Sequence, residues 1–114
     1  MTLENLLKKI NDDAAAIEFD ETIAAIDGAY NFTPSQFANG SLVNKAGENS
    51  GSCKIFAFAK QHGLTEEQTL HCFGRYYREE VLENPQGDNH QNIRNFLQSG
   101  WAGITFEAEP LSLR

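Results

Sequence analysis

The sequence has few cysteines, few basic residues and no long apolar run, and each shortage excludes a class of protein. Only two of its 114 residues are cysteines, Cys53 and Cys72, and they do not form a CxxC motif. We therefore expect free thiols in a reducing cytoplasm rather than a disulfide-stapled secreted domain. No apolar stretch approaches the roughly 20 residues that cross a bilayer. The first residues, MTLENLLKKINDD, also lack the uninterrupted apolar segment of a secretory signal.

Basic residues are fewer than acidic residues in this sequence. Nine Lys and Arg stand against sixteen Asp and Glu, which gives a net charge of −7. An acidic chain is repelled by phosphate backbones and by anionic lipids. We therefore expect neither nucleic acid nor membrane among its partners, and we expect an unidentified protein partner instead. The three histidines share no HxxxH or HxxE spacing, so we expect no metal ion and no cofactor.

The hydrophobic pattern predicts an all-α fold in one domain over residues 1–114. We expect a small bundle of about five helices, with a long loop between helices 2 and 3, residues 28–51, and a short extended C-terminal tail. The fourth helix is expected to continue to Leu82, ahead of Pro85, which cannot extend a helix. The predicted helix starts are marked by capping residues: Thr2, Asp20, Ser52, Thr65 and Asp88.

A glycine-rich and asparagine-rich segment leads into the third predicted helix with the sequence NKAGENSGSCKIFAFAK. It does not match the Walker pattern GxxxxGK[ST], because Lys54 lies two residues too late and no strand is predicted before it. A weaker anion site stays open, since a helix N-terminus offers free amides and a partial positive charge. The alternative is that Ser52 only caps the helix.

The order Gly51-Ser52-Cys53 at a helix start is similar to the nucleophile region of papain-like cysteine proteases, where the helix dipole lowers the thiol pKa. Such a nucleophile also needs a histidine base, for which His90 is a candidate. The chain lacks the β-rich half that brings the histidine across in those proteases. We therefore assign no catalytic residue. Cys53 and His90 are the candidates for the alternative, a small hydrolase or transferase.

A second polar region reads FGRYYREE followed by NPQGDNHQNIRNF. Its arginines and histidine predict a pocket for a carboxylate or phosphate, because Arg forks give bidentate contacts to such groups. The alternative is a salt-bridge network between these arginines and Glu79, Glu80 and Glu83. The candidate binding residues are eight from the two regions and the tryptophan that follows them: Asn49, Ser52, Lys54, Tyr76, Arg78, His90, Asn92, Arg94 and Trp101.

Three strings together resemble the HopJ (HopPmaJ-like) type III effector family over nearly the whole chain. They are NKAGENSGSCKIFAFA, QTLHCFGRYYREEVLENPQGDNHQNIRNF and SGWAGITF, and Asn89 stands between an Asp and a His that are adjacent in the family's pattern. The resemblance implies a small bacterial protein related to effectors that plant pathogens inject into host cells. It implies no reaction, cofactor or catalytic residue.

The composition and the resemblance together predict a non-catalytic binding or effector-like module. We expect it in the bacterial cytoplasm, with delivery to a host cell by type III secretion as one outcome and a host protein as its partner there. A housekeeping role in the bacterium, without export, is the alternative.

Overall fold

The computed structural model describes all residues 1–114 and is a mixed α/β fold of six α-helices and five short strands. The helices are α1 Leu3–Asp13, α2 Phe19–Ala29, α3 Ser50–Gln61, α4 Glu66–His71, α5 Arg75–Arg78 and α6 Gln91–Ser99. The strands are β1 Tyr30–Phe32, β2 Phe37–Asn39, β3 Leu42–Asn44, β4 Ile104–Phe106 and β5 Leu111–Leu113. None of the helices combines the length and the apolar character needed to cross a membrane.

The prediction of an all-α bundle is wrong, because the expected loop at residues 28–51 contains three strands. In one antiparallel sheet β2 lies between β3 and β4, and in the other β1 pairs with β5. Each strand has only three residues, too few to show the alternation that identifies a strand in sequence. The expected extended tail is present, but its residues pair with strands from the first half of the chain.

The helix starts were predicted correctly where a threonine caps them. Thr2 accepts a hydrogen bond from the first turn of α1, and Thr65 forms the expected capping box with Gln68. The other three starts differ from the prediction. In α2 the N-cap is Glu18, two residues before Asp20.

The remaining two N-caps are not the residues that were predicted. Asn49 precedes α3 in place of Ser52, and His90 precedes α6 in place of Asp88. Both have left-handed backbone conformations, with φ of 50° and 52° respectively. They are the only non-glycine residues of the chain with positive φ.

The fourth predicted helix is broken at Gly74, which separates α4 from α5. Its φ of +62° and ψ of −136° lie in a region that only glycine adopts readily. A Cβ on this residue would lie 2.5 Å from the backbone nitrogen of Phe19. The helix therefore breaks where the start of α2 crosses it, and the absence of a side chain permits the crossing.

The core is built around α3, whose residues 55–59 are all buried. Phe56 is a central ring of this core. Four aromatic rings lie with their centroids 4.9–6.5 Å from that of Phe56: Phe37, Phe73, Phe96 and Trp101. These contacts join β2, α6 and the segments after α4 and α6 to one helix.

The backbone at Gly74 gives a testable prediction. Gly74→Ala should destabilise the protein by roughly 1–3 kcal/mol from backbone strain, and further through the contact with Phe19. Gly28→Ala is the matched control, because Gly28 lies in α2 with nothing within 4 Å of an added Cβ. That change should be neutral or stabilise by up to about 1 kcal/mol. Urea unfolding of both variants measures the difference, and equal stabilities would contradict the explanation.

Candidate functional site

The largest cleft of the molecule, about 550 Å³, lies between the N-terminal ends of α3 and α6. One wall is aromatic and contains Phe19, Phe73 and Tyr76. The Phe19 and Tyr76 ring centroids are 5.0 Å apart in an edge-to-face arrangement. The opposite walls are formed by the first residues of the two helices. The cleft therefore combines apolar surface with exposed polar backbone, as small-ligand and peptide sites commonly do.

Five of the candidate binding residues line this cleft, namely Asn49, Ser52, Tyr76, His90 and Asn92. Two of them come from the first polar string and three from the second. Nothing in the sequence places α3 and α6 side by side. The structure brings the two strings together because both helices pack on the same core.

The first-turn amides of α3 and α6 that face the cleft have no partner in the protein. The intrahelical hydrogen bonds begin with the amides of Cys53 and Ile93, which donate to the carbonyl oxygens of the two N-cap residues. The side chains of the N-caps do not bond to these amides. The amides of Gly51, Ser52 and Gln91 are therefore available to an acceptor in the cleft.

Each helix N-terminus also carries a partial positive charge, equivalent to roughly half an elementary charge. Two such termini share one cleft, so the local potential there is more positive than the net charge of −7 suggests. An acidic chain thus contains one region suited to an anion.

His90 is held in place at the edge of the cleft. Its Nε2 atom lies 2.8 Å from Oε1 of Glu80, and its ring lies against Tyr76, with centroids 5.2 Å apart. The Nδ1 atom has no hydrogen-bond partner in the protein. A histidine fixed by a carboxylate in this way can donate a hydrogen bond or accept a proton through its other nitrogen.

Four asparagine side chains form a hydrogen-bonded network beneath the cleft. The amides of Asn44 and Asn92 pair reciprocally, with N–O distances of 3.1 and 2.9 Å. Asn49 Nδ2 donates to Asn44 Oδ1 at 2.7 Å. Asn39 Nδ2 donates to Asn92 Oδ1 at 3.0 Å and to its carbonyl oxygen at 2.8 Å. Asn39 and Asn44 were missed as site residues, and their common residue type is the one sequence signal that could have indicated them.

The two candidate arginines lie outside the cleft lining, and their guanidinium groups bond to backbone carbonyls. Arg78 donates to the carbonyl oxygens of Ile17 and His71. Arg94 donates to that of Asn84 at 2.8 Å. Neither arginine lies within salt-bridge distance of a carboxylate. Both side chains therefore connect chain segments, and the salt-bridge network considered from the sequence does not form.

Lys54 and Trp101 also lie outside the cleft. Lys54 Nζ is 2.8 Å from Asp27 Oδ1 and 5.0 Å from the centroid of the Phe32 ring. Trp101 packs in the core and donates from Nε1 to the carbonyl oxygen of Leu64 at 3.1 Å. These contacts join α3 to α2, and the segment after α6 to the turn before α4.

The two cysteines are buried away from the cleft. Cys53 lies on the core side of α3, 2% exposed, with its Sγ 3.9 Å from the carbonyl oxygen of Ser35. Burial raises the pKa of the Cys53 thiol, and it raises the pKa of Cys72 to about 12. A nucleophilic cysteine needs the opposite shift, so this geometry does not favour Cys53 as a nucleophile. Nowhere do three or more His, Cys, Asp or Glu side chains come close enough together to hold a metal ion.

The comparisons with known proteins agree on the fold but give no activity. The model of the HopJ type III effector protein family matches residues 3–111. The crystal structure of a protein of unknown function, VPA0580, is similar, with 49% sequence identity and a TM-score of 0.98 over 100% of this chain and 95% of that one. No curated protein matches the sequence. The family resemblance inferred from the three strings is confirmed.

Thiol labelling tests the position of the cysteines. Iodoacetamide at pH 6 should label Cys53 and Cys72 of the folded protein far more slowly than those of the denatured protein, because both thiols are buried and protonated. Mass spectrometry of timed samples gives the two rates, and the denatured protein is the control. Labelling of folded Cys53 faster than of the denatured thiol would indicate an activated nucleophile.

Proposed function

We propose that this chain, which belongs to the HopJ type III effector protein family, is a non-catalytic binding module. In this proposal the cleft between α3 and α6 holds an anionic group of a protein partner. The observation that carries it is the convergence of two helix N-termini, with unpartnered first-turn amides, on one cleft. Such amides and the helix dipoles favour carboxylate and phosphate groups.

The net charge indicates what kind of molecule carries that group. A free anion is disfavoured at a distance by the charge of −7. A partner with a basic surface is attracted instead, and it can present one carboxylate or phosphate to the cleft. The local donors and the overall charge therefore select together for a basic protein with a single acidic or phosphorylated residue at the contact.

Family membership suggests where this partner is. A protein delivered by type III secretion would meet a host protein, and we propose a host partner on that ground. The aromatic wall of Phe19, Phe73 and Tyr76 supports a peptide or side chain as the bound group, because it offers apolar contact next to the amides.

One observation favours the alternative, a histidine-dependent hydrolase or transferase. A carboxylate that contacts one histidine nitrogen, as Glu80 contacts His90 Nε2, orients the ring of a general base. The other nitrogen, Nδ1, would then accept the proton. The other sequence candidate, Cys53, lies in the core rather than in the cleft. The binding module is therefore the better-supported function.

Ser52→Asp tests the anion site. Ser52 is the third residue of α3, where a carboxylate is favourable to the helix by roughly 0.3–1 kcal/mol. The variant should be folded and at least as stable as the wild type. Its own carboxylate should occupy the free amides and abolish anion binding, and Ser112→Asp, on exposed β5, is a control with the same added charge.

The measurement is an NMR titration with sodium phosphate and, separately, sodium acetate. In the wild type and in the Ser112→Asp variant the amide signals of Gly51, Ser52 and Gln91 should shift with saturation. The stronger of the two probes indicates whether a phosphate or a carboxylate suits the cleft. Absence of saturable shifts in the wild type, or unchanged binding by Ser52→Asp, would refute the anion site.

A further inference from the structure

We infer that Asn44 is a positioning residue, whose side chain links the N-terminal ends of α3 and α6 and so keeps the cleft preformed in the free protein. The importance of this for binding rests on the proposed function. The effect on the shape of the cleft does not, and it can be measured without any ligand.

Asn44 is the one side chain that hydrogen-bonds to both helix starts. Its Oδ1 atom accepts from Asn49 Nδ2, at the N-cap of α3, and from Asn92 Nδ2, in the first turn of α6. Its Nδ2 atom donates to Asn92 Oδ1. Asn39, the other asparagine of the network that stands on the sheet, bonds only to the α6 side. Removal of Asn44 would therefore disconnect α3 from the network, whereas Asn39 and Asn92 would stay paired.

The two helix starts need such a connection, because their partial positive charges repel each other across the cleft. Each also begins with a left-handed residue, a conformation that only surrounding contacts maintain outside glycine. Asn44 is 1% exposed, so its hydrogen bonds lie in a medium of low dielectric where they are strong. The repulsion and the backbone strain act against the Asn44 hydrogen bonds, so the geometry of the cleft depends on these few bonds.

The rest of the network anchors α6 to the sheet. Asn39 and Asn44 stand on the paired strands β2 and β3, in the register Asn39↔Leu42 and Phe37↔Asn44. From this sheet the Asn39 side chain bonds to α6 alone, whereas the Asn44 side chain bonds to both helices. This division predicts different effects for changes at different members of the network.

The first test is Asn44→Ala, with Asn31→Ala, at the exposed position of β1, as the matched control. NMR relaxation dispersion on the ligand-free proteins reports motion on the microsecond-to-millisecond timescale. In the Asn44 variant the amides of residues 50–52 and 91–92 should broaden by exchange. In the wild type and in the control they should stay sharp. Sharp signals at both helix starts in Asn44→Ala would overturn the inference.

A second variant covers the case in which Asn44→Ala does not fold. Asn49→Gly retains the left-handed backbone and removes the one hydrogen bond from Asn44 to α3, at an exposed position. Broadening should then be confined to residues 50–52, while residues 91–92 stay sharp. Equal broadening at both helix starts, or none at either, would contradict the assigned role of Asn44.

Phosphate titration of the same variants links the inference to function. Asn44→Ala should bind sodium phosphate about tenfold more weakly than the wild type, because the separation of the donors is no longer fixed. If the wild type binds neither phosphate nor acetate, the proposed function fails while the relaxation experiment still decides on Asn44. If the wild type binds and Asn44→Ala binds equally well with sharp amides, the inference fails while the proposed function stands.

Discussion

The constraint on which the structure depends is the burial of the middle of α3 on all sides. Five consecutive residues, Ile55 to Ala59, are buried, whereas an amphipathic helix would bury only one face. Neighbours are therefore needed on every side. Helices α2 and α4 and strand β5 cover part of the surface. Phe96 of α6 and Phe37 of β2 pack on Phe56 and cover more of it. The strands therefore contribute side chains to the core and are not only surface structure within a loop.

The burial of α3 also accounts for the position of the cleft. A helix that is enclosed along its length is exposed mainly at its ends, and the N-terminal end of α3 opens beside that of α6. The cleft therefore has amide donors on one side and the aromatic rings of Phe19, Phe73 and Tyr76 on the other. Its positive character comes from the backbone. For this reason the count of charged side chains did not indicate it.

The features predicted from the sequence are those that depend on neighbours along the chain. The caps at Thr2 and Thr65 each lie within one helical turn, and both were predicted correctly. The strands depend on partners in the other half of the chain, and three residues give no pattern. Five of the predicted binding residues line the cleft. The motif strings do not distinguish them from Arg78 and Arg94, whose contacts with backbone carbonyls are visible only in three dimensions.

The pairing of β1 with β5 and of β2 with β4 has a consequence for biosynthesis. Strand β1 finds β5, and β2 finds its second partner β4, only when residues 104–113 have left the ribosome. Until then β2 has one unpaired edge, and the apolar face of α3 lacks part of its cover. Contacts of such long sequence separation slow folding. The nascent chain is therefore expected to stay incompletely folded until residues 104–113 have emerged, and to be accessible to chaperones during that interval.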